Sequence, residues 1–373
     1  MKQEHIRQIT ALRRALHRIP EPAFQERETL SLLKGFLRAH TTLTLADREG
    51  WFYAVREGTD PAAGAIAFRA DMDALPMEEG IPLPHASRNP GCSHKCGHDG
   101  HCAALCGLAL ELERRPPKRT VYLIFQPAEE VGGGGARCAP LLREKGVSEV
   151  YAFHNLSGYP EGQLLYRRGL TQPASEGLTV RLTGRPAHAS APEEGRNPAE
   201  AAARLVLLAR ALAEEPHRGM VLCTVTGVRV GEGDFGIAPG EGEVRLTLRA
   251  EEEAELRTLE ARLRRGAETL AEEHGLTVSF TVSDRFPETR NDDACLDRVL
   301  SAAERLGIPA APMGELWRAS EDFGHYTKQC PGAMFYLGNG TDYPPLHTVG
   351  YDCNDRILPA AADLFLVLAG PEP

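Results

Sequence analysis

The chain has 373 residues, 42% hydrophobic and 25% charged, with a formal charge of −10. Its length allows two domains with sizeable cores, and its composition is that of a globular protein. An acidic balance with no basic patch excludes nucleic acid and anionic membrane surfaces as main partners, which leaves small molecules.

The opening MKQEHIRQITALRRALHRI has the spacing of an amphipathic helix rather than of a basic-then-apolar leader, and no apolar run approaches membrane-spanning length. Nine cysteines, an odd number scattered through a large chain, predict mostly reduced thiols and a cytoplasmic protein. An apolar strand GAIAFRA is predicted at 64–70, followed by a proline-rich irregular loop from Met77 to Ser93. Next come a helix HCAALCGLALELERR, a strand TVYLIF ending at Phe125, a glycine-rich turn with another helix, and a strand Val150–Phe153. This alternation predicts an α/β fold: a mostly parallel sheet with flanking helices, its ligands bound beyond the carboxyl ends of the strands.

From Ser175 the texture changes. Strands EGLTVRLTG, VLCTVTGVRV, GEVRLTLRA and LTVSFTV accompany two long helices, NPAEAAARLVLLARALAEE and EEAELRTLEARLRRGAETLAEEH, and predict a compact α+β unit. After Asp284 apolar helices and a short strand AMFYLG return. The expected organisation is one domain of residues 1–174 and 285–373, with a smaller α+β domain, 175–284, inserted into it.

Four places carry chemistry. CGHDGH sets Cys96 and His98 where a loop enters a helix, with His101 one turn on. Glu129 and Glu130 directly follow the strand TVYLIF, so one carboxylate can bind a cation while its neighbour faces a substrate or water, and the glycines from Gly132 to Gly135 allow close backbone approach. His154 follows a strand in YAFHNLSG, and His347 lies in PPLHTVGY after AMFYLG. Each residue alone reads as an ordinary core or loop side chain; several strand ends bearing Glu or His beside a loop Cys and His do not. A dinuclear site would be built with Cys96 as bridging thiolate and His98, Glu130, His154 and His347 completing two open shells. Glu129 would take a proton from metal-bound water attacking a carbonyl and return it to the departing nitrogen.

The stretches LHRIPEPAFQE, FRADMDALPMEE, HKCGHDGH, IFQPAEEVGGGGA, FHN, GRPAHASAPEEGRNPAEAAA, ASEDFGHY and PPLHTVGYD resemble the M20 metallopeptidase superfamily nearly end to end. The likeness is to its amidohydrolase branch of aminoacylases, hippurate hydrolases and indole-acetyl-amino-acid hydrolases. It implies a zinc-peptidase-like catalytic domain in which Cys96 bridges two divalent ions, His98, Glu130, His154 and His347 are the other ligands, and Glu129 is the general base. It also implies that the inserted unit is a lid and dimerisation domain whose His188 stabilises the oxyanion, often in the partner subunit of a homodimer. Asp71, in Asp71-Met72-Asp73, is not expected to be a ligand. Gly236-Ile237-Ala238-Pro239 stands where the branch commonly has Asn-Ile-Ile-Pro, removing an amide that could hold substrate, and Leu246 stands where a glycine is usual, while Arg249 is kept.

The expected activity is hydrolysis of the amide bond of N-acyl amino acids or related small conjugates, with zinc or manganese, or else cobalt or nickel, as the metal. A dipeptidase or carboxypeptidase with the same site is the near alternative. From other classes come a closed zinc site of Cys92, Cys96, Cys102 and Cys106, and a ligand-binding protein without catalysis.

Overall fold

In the computed structural model, which describes residues 1–370, the strand Ala65–Asp71 is buried along its whole length. Thr120–Gln126 and Val147–Ser157 flank it, both parallel, and Gly332–Gly340 lies parallel beside Val147–Ser157. Strands covered on both faces need near-continuous apolar runs, which AIAFRAD and GAMFYLGNG largely supply. Arg69 and Asp71 are the polar exceptions in the first of these, and each must find a partner inside.

The eight-stranded sheet is parallel through its centre, as expected, and becomes mixed toward its sides. The hairpin Thr44–Arg48 and Trp51–Arg56 turns through Gly50 (φ 77°) and pairs antiparallel with Thr120–Gln126, while Leu164–Tyr166 runs antiparallel to Gly332–Gly340 at the other side. A hairpin needs only a tight turn, so antiparallel strands extend a parallel centre without another crossover helix. The helix His98–Arg114 is buried on nearly every face. Ile9 of the helix Gln3–His17 and Leu358 of the helix Leu358–Ala369 pack with its Ala103 and Leu110.

Residues Gln172–Glu288, joined by Arg318–Ser320, form a second unit. Its antiparallel sheet has the order Val221–Val230, Glu241–Ala250, Ala174–Thr183, Thr277–Phe286. Alternating side chains of Glu241–Ala250, among them Val244, Leu246 and Leu248, join Leu205 of the helix Ala199–Glu214 and Leu263 of the helix Glu253–Glu273 in one core. Arg318–Ser320 enters this unit through polar contacts: Arg249 Nη1 donates to the Arg318 carbonyl and to Ser320 Oγ, both at 2.9 Å. Among the described residues no helix is long and apolar enough to cross a membrane.

Candidate metal centre

Four neighbouring parallel strands deliver their carboxyl ends to one place. Asp71 closes Ala65–Asp71; Glu129 and Glu130 follow Thr120–Gln126; His347 lies in the loop after Gly332–Gly340. His154 was expected just past a strand ending at Phe153, but Val147–Ser157 runs further, so His154 stands inside the strand in register with Tyr336. Pairing with Gly332–Gly340 carries the strand through the polar His154-Asn155, which a reading of apolar residues alone cuts short.

The helix His98–Arg114 brings its first residue to the same spot. Gly97 makes this entry possible: its φ is 99°, and a Cβ there would lie 2.2 Å from Asn155 Nδ2. Cys96 Sγ lies 3.3 Å from His154 Nε2 and 3.4 Å from His347 Nε2. Glu130 Oε2 is 3.6 Å from His347 Nε2, and Glu130 Oε1 is 3.8 Å from His98 Nε2. His98 Nδ1 donates to the Asp73 carbonyl (2.9 Å) and His154 Nδ1 to the Asn155 carbonyl (2.7 Å), so each ring turns its Nε2 toward the centre. Burial holds the His154 ring neutral, whereas at His98 burial is outweighed by the Asp71 and Cys96 charges, which raise its proton affinity. An imidazole that binds metal through Nε2 needs the Nδ1–H tautomer.

Backbone strain holds the carboxylates in place. Ala128 has φ 50°, in the left-handed region that a residue with a Cβ rarely enters. Three successive amides there point at carboxylates: Ala128 N–H at Glu26 Oε1 (2.8 Å), and those of Glu129 and Glu130 at the two oxygens of Asp73 (3.0 Å each). Glu26 Oε1 also accepts from Phe24 N–H (3.0 Å), and Phe24 is left-handed too (φ 63°). Burial first, and then the Asp73 charge, push the Glu26 carboxyl up to about 7. A glutamine in place of Glu26 would keep an amide oxygen to accept both bonds and would resemble the protonated acid. Glu26→Ala is therefore expected to lower kcat by about 10–100-fold, as losing a partner behind a ligand does, while Glu26→Gln stays within a few-fold of wild type. Steady-state kinetics on both variants checks this; equal losses would refute the positioning role.

The centre is electrostatically incomplete. Glu129 Oε1, Glu130 Oε1 and His98 Nε2 are buried and have no hydrogen-bond partner among the described residues. Burial, followed by the charges of Glu321, Asp322 and Glu130, pushes the Glu129 carboxyl well above the usual range; burial pushes Glu130 up to about 7 against the pull of His98. Burial likewise raises the Cys96 thiol. Buried carboxylate oxygens without donors, thiol and carboxyls forced toward neutrality, and the imidazoles of His154 and His347, which burial holds neutral, are the surroundings that a divalent cation satisfies. Candidate ligand groups within this set are Cys96 with His98 and His154, Cys96 with Glu130 and His347, and His98 with Glu129 and Glu130.

Behind the centre lies a fixed ionic frame. Arg69 reaches Asp71 (2.7 Å), Asp322 (2.8 Å) and Glu321 (3.0 Å), and its Nε donates to Gln126 Oε1 (2.9 Å). Asp71 also accepts from His101 Nδ1 (2.6 Å), whose Nε2 accepts from Asn155 Nδ2 (3.0 Å). On the far side of His98, Asp99 meets Arg13 Nε (2.9 Å) and His17 Nδ1 (2.7 Å); His17 Nε2 and Lys95 both bind Glu79. Burial alone would raise the Glu79 carboxyl, but the His17 and Lys95 bonds outweigh it and hold it down at about 2. A carboxylate with a lowered folded-state pKa adds stability above its unfolded value and loses it as pH falls. Glu79 thus contributes fully above about pH 5 and progressively less toward pH 2. Glu79→Gln should lie below wild type in urea midpoint at pH 7 and converge with it near pH 2; parallel curves would contradict the assignment.

His188 belongs to the second unit. It lies on the short strand Ala187–His188, exposed, with Nδ1 2.7 Å from Ser190 Oγ, and pairs directly with Ile237 of the altered segment Gly236 to Pro239. The four-cysteine zinc site does not form: Cys102 Sγ donates to the Asp71 carbonyl (3.0 Å), Cys106 is buried in the main core, and no candidate ligand group among the described residues includes Cys92, Cys102 or Cys106. Sequence reasoning missed Glu26, Asp73, Asn155 and Glu321 as supports. All four stand in quoted motifs, yet no local feature assigns them partners more than fifty residues away.

Fold and donor set together define an α/β protein of metallopeptidase type. The model of peptidase family M20/M25/M40 matches residues 67–369, and the chain belongs to that family. It is 30% identical over 371 residues to an N-acetylcysteine deacetylase of Bacillus subtilis, covering 98% of this chain and 96% of the relative. It is 28% identical to a hippurate hydrolase of Campylobacter jejuni, covering 96% and 94%. The crystal structure of the Bacillus subtilis YXEP protein, described as a dinuclear metal-binding peptidase of the M20 family, superposes with a TM-score of 0.82 at 27% identity, covering 99% of this chain and 98% of that one.

Proposed function

We propose that this chain hydrolyses the amide bond of N-acyl amino acids or related small conjugates. Cys96, His98, Glu130, His154 and His347 would hold two divalent ions. The observation that carries this reading is one buried cluster in which Cys96 groups with His98 and with Glu130, those two group with Glu129, and Glu129 Oε1, Glu130 Oε1 and His98 Nε2 have no hydrogen-bond partner among the described residues. The relatives that deacetylate N-acetylcysteine or hydrolyse hippurate support the substrate class. A donor set of one thiolate, three imidazoles and a carboxylate suits zinc or manganese, with cobalt or nickel as further choices.

Divalent ions bound here supply the Lewis acidity that makes water nucleophilic near neutral pH and polarises a carbonyl. Glu129 is left free of ligand duty, and its high proton affinity suits a base that takes a proton from the attacking water. It returns that proton to the amide nitrogen as the C–N bond breaks, so water and amide become carboxylate and amine. The resemblance gives His188 the role of donor to a carbonyl oxygen as negative charge develops on it, often in the partner subunit. The second unit acts as lid and dimerisation domain; exposed Val225, Val228, Phe235 and Ile237, on and beside the edge strand Val221–Val230, support a homodimer. Sedimentation velocity returning only monomer would remove that part. Nine unpaired thiols suit a reducing compartment such as the cytoplasm.

The test compares N-acyl amino acids with unblocked dipeptides as substrates of the metal-loaded protein. Preferential release of amino acid from the acylated compounds is expected; preference for the dipeptides would move the assignment to a peptidase.

A further inference from the structure

Beside the centre lies a small apolar cluster separate from the main core. Leu156, Leu165 and Tyr336 form its buried base, and Met313, Trp317 and Leu346 pack on them while keeping part of their surface uncovered. Trp317 is the outermost large ring of the group. Its centroid is 5.1 Å from that of His154, edge-on at 66°, and 5.3 Å from that of Tyr336 at 86°. Tyr336 is itself fixed, its hydroxyl 2.8 Å from Thr171 Oγ1. Leu346 immediately precedes His347, whose side chain is 52% exposed and marks where the centre opens to solvent.

These contacts fix the indole while leaving it only half-buried. A large ring held in this way loses little conformational entropy when a second ring covers it, and aromatic pairs at such spacing gain more than area burial alone supplies. We propose that Trp317, with Met313 and Leu346, forms a subsite for an apolar, aromatic-sized group of the substrate, so that the enzyme prefers N-acyl amino acids carrying such a group over small ones. This rests on the amide-hydrolase reading and adds to it which substrates are preferred. The ring could enter as the acyl group or as the amino-acid side chain, and the probes separate the two.

The experiment compares kcat/KM of wild type and Trp317→Ala on N-benzoylglycine, N-acetyl-L-phenylalanine and N-acetyl-L-alanine. The ratio of at least one aromatic compound to N-acetyl-L-alanine is expected to fall by about tenfold, the equivalent of about 1.4 kcal/mol. A fall confined to N-benzoylglycine places the acyl group there; one confined to N-acetyl-L-phenylalanine places the side chain there. Equal loss on all three means that Trp317 only shields His154 and overturns the subsite, as does no loss. Fluorescence decides the matter independently of turnover, because the only other tryptophan is Trp51. In a Trp51→Phe chain the aromatic compounds should give a saturable change that N-acetyl-L-alanine does not. Saturable change without hydrolysis would sink the amide-hydrolase reading and keep the subsite; hydrolysis without it would do the reverse.

Discussion

Replacing Glu129 by Gln is expected to lower kcat by about 10²–10⁴-fold, the range that a positioned general base contributes, with bound metal unchanged. The two side chains have the same shape, and the Glu129 amide would still donate to Asp73. Both carboxylates lie near His98 (3.9 and 3.8 Å), but Glu129 also neighbours the carboxylates Glu321 and Asp322, whereas Glu130 groups with Cys96 and His347. That asymmetry supports the proposed division into base and ligand. Glu130→Gln should instead lose metal. A Glu129→Gln protein retaining a tenth or more of wild-type kcat would refute the division of roles.

Arg69→Met is expected to destabilise the first unit by about 3–5 kcal/mol, the cost of stripping a buried charge from its partners. Arg69 is 1% exposed and is the shared cation of Asp71, Glu321 and Asp322, all nearly or fully buried. Burial pushes Asp322 up to about 6 and Glu321 up to about 7 even with the guanidinium present. Without it the three carboxyls would have to take up protons or leave the interior. Arg257 provides the contrast: it binds Glu176, Glu253 and Glu260, but about a third of its side chain is exposed, so Arg257→Met should cost well under half as much. Denaturant unfolding of both variants checks this, and a loss below about 1 kcal/mol for Arg69→Met would show that the frame does not depend on it.

What could be read from the chain is what its chemistry announces locally. Cys96, His98, Glu129, Glu130 and His347 each stand in or next to a short local motif, and the fold brings them together with His154. The edges of the sheet were less legible. The strand Thr44–Arg48 carries little apolar signal and is defined by its pairing with Trp51–Arg56, so the parallel centre was legible while the antiparallel hairpin beside it was not. The supports were least legible, because Glu26 meets Ala128 across 102 positions and Arg69 meets Asp322 across 253. Arg318–Ser320 illustrates the same limit: nothing in its composition separates it from its neighbours, and hydrogen bonds from Arg249 draw it into the second unit.

The central claim is that hydrolysis depends on two ions held by Cys96, His98, Glu130, His154 and His347. Titrating chelator-stripped protein with zinc or manganese, while following hydrolysis of an N-acyl amino acid and metal bound per chain, tests it most directly. The account predicts no turnover in the stripped protein and a rise that levels off at two ions per chain, abolished by Cys96→Ala. Full turnover in the stripped protein, or unchanged binding and turnover in Cys96→Ala, would contradict it.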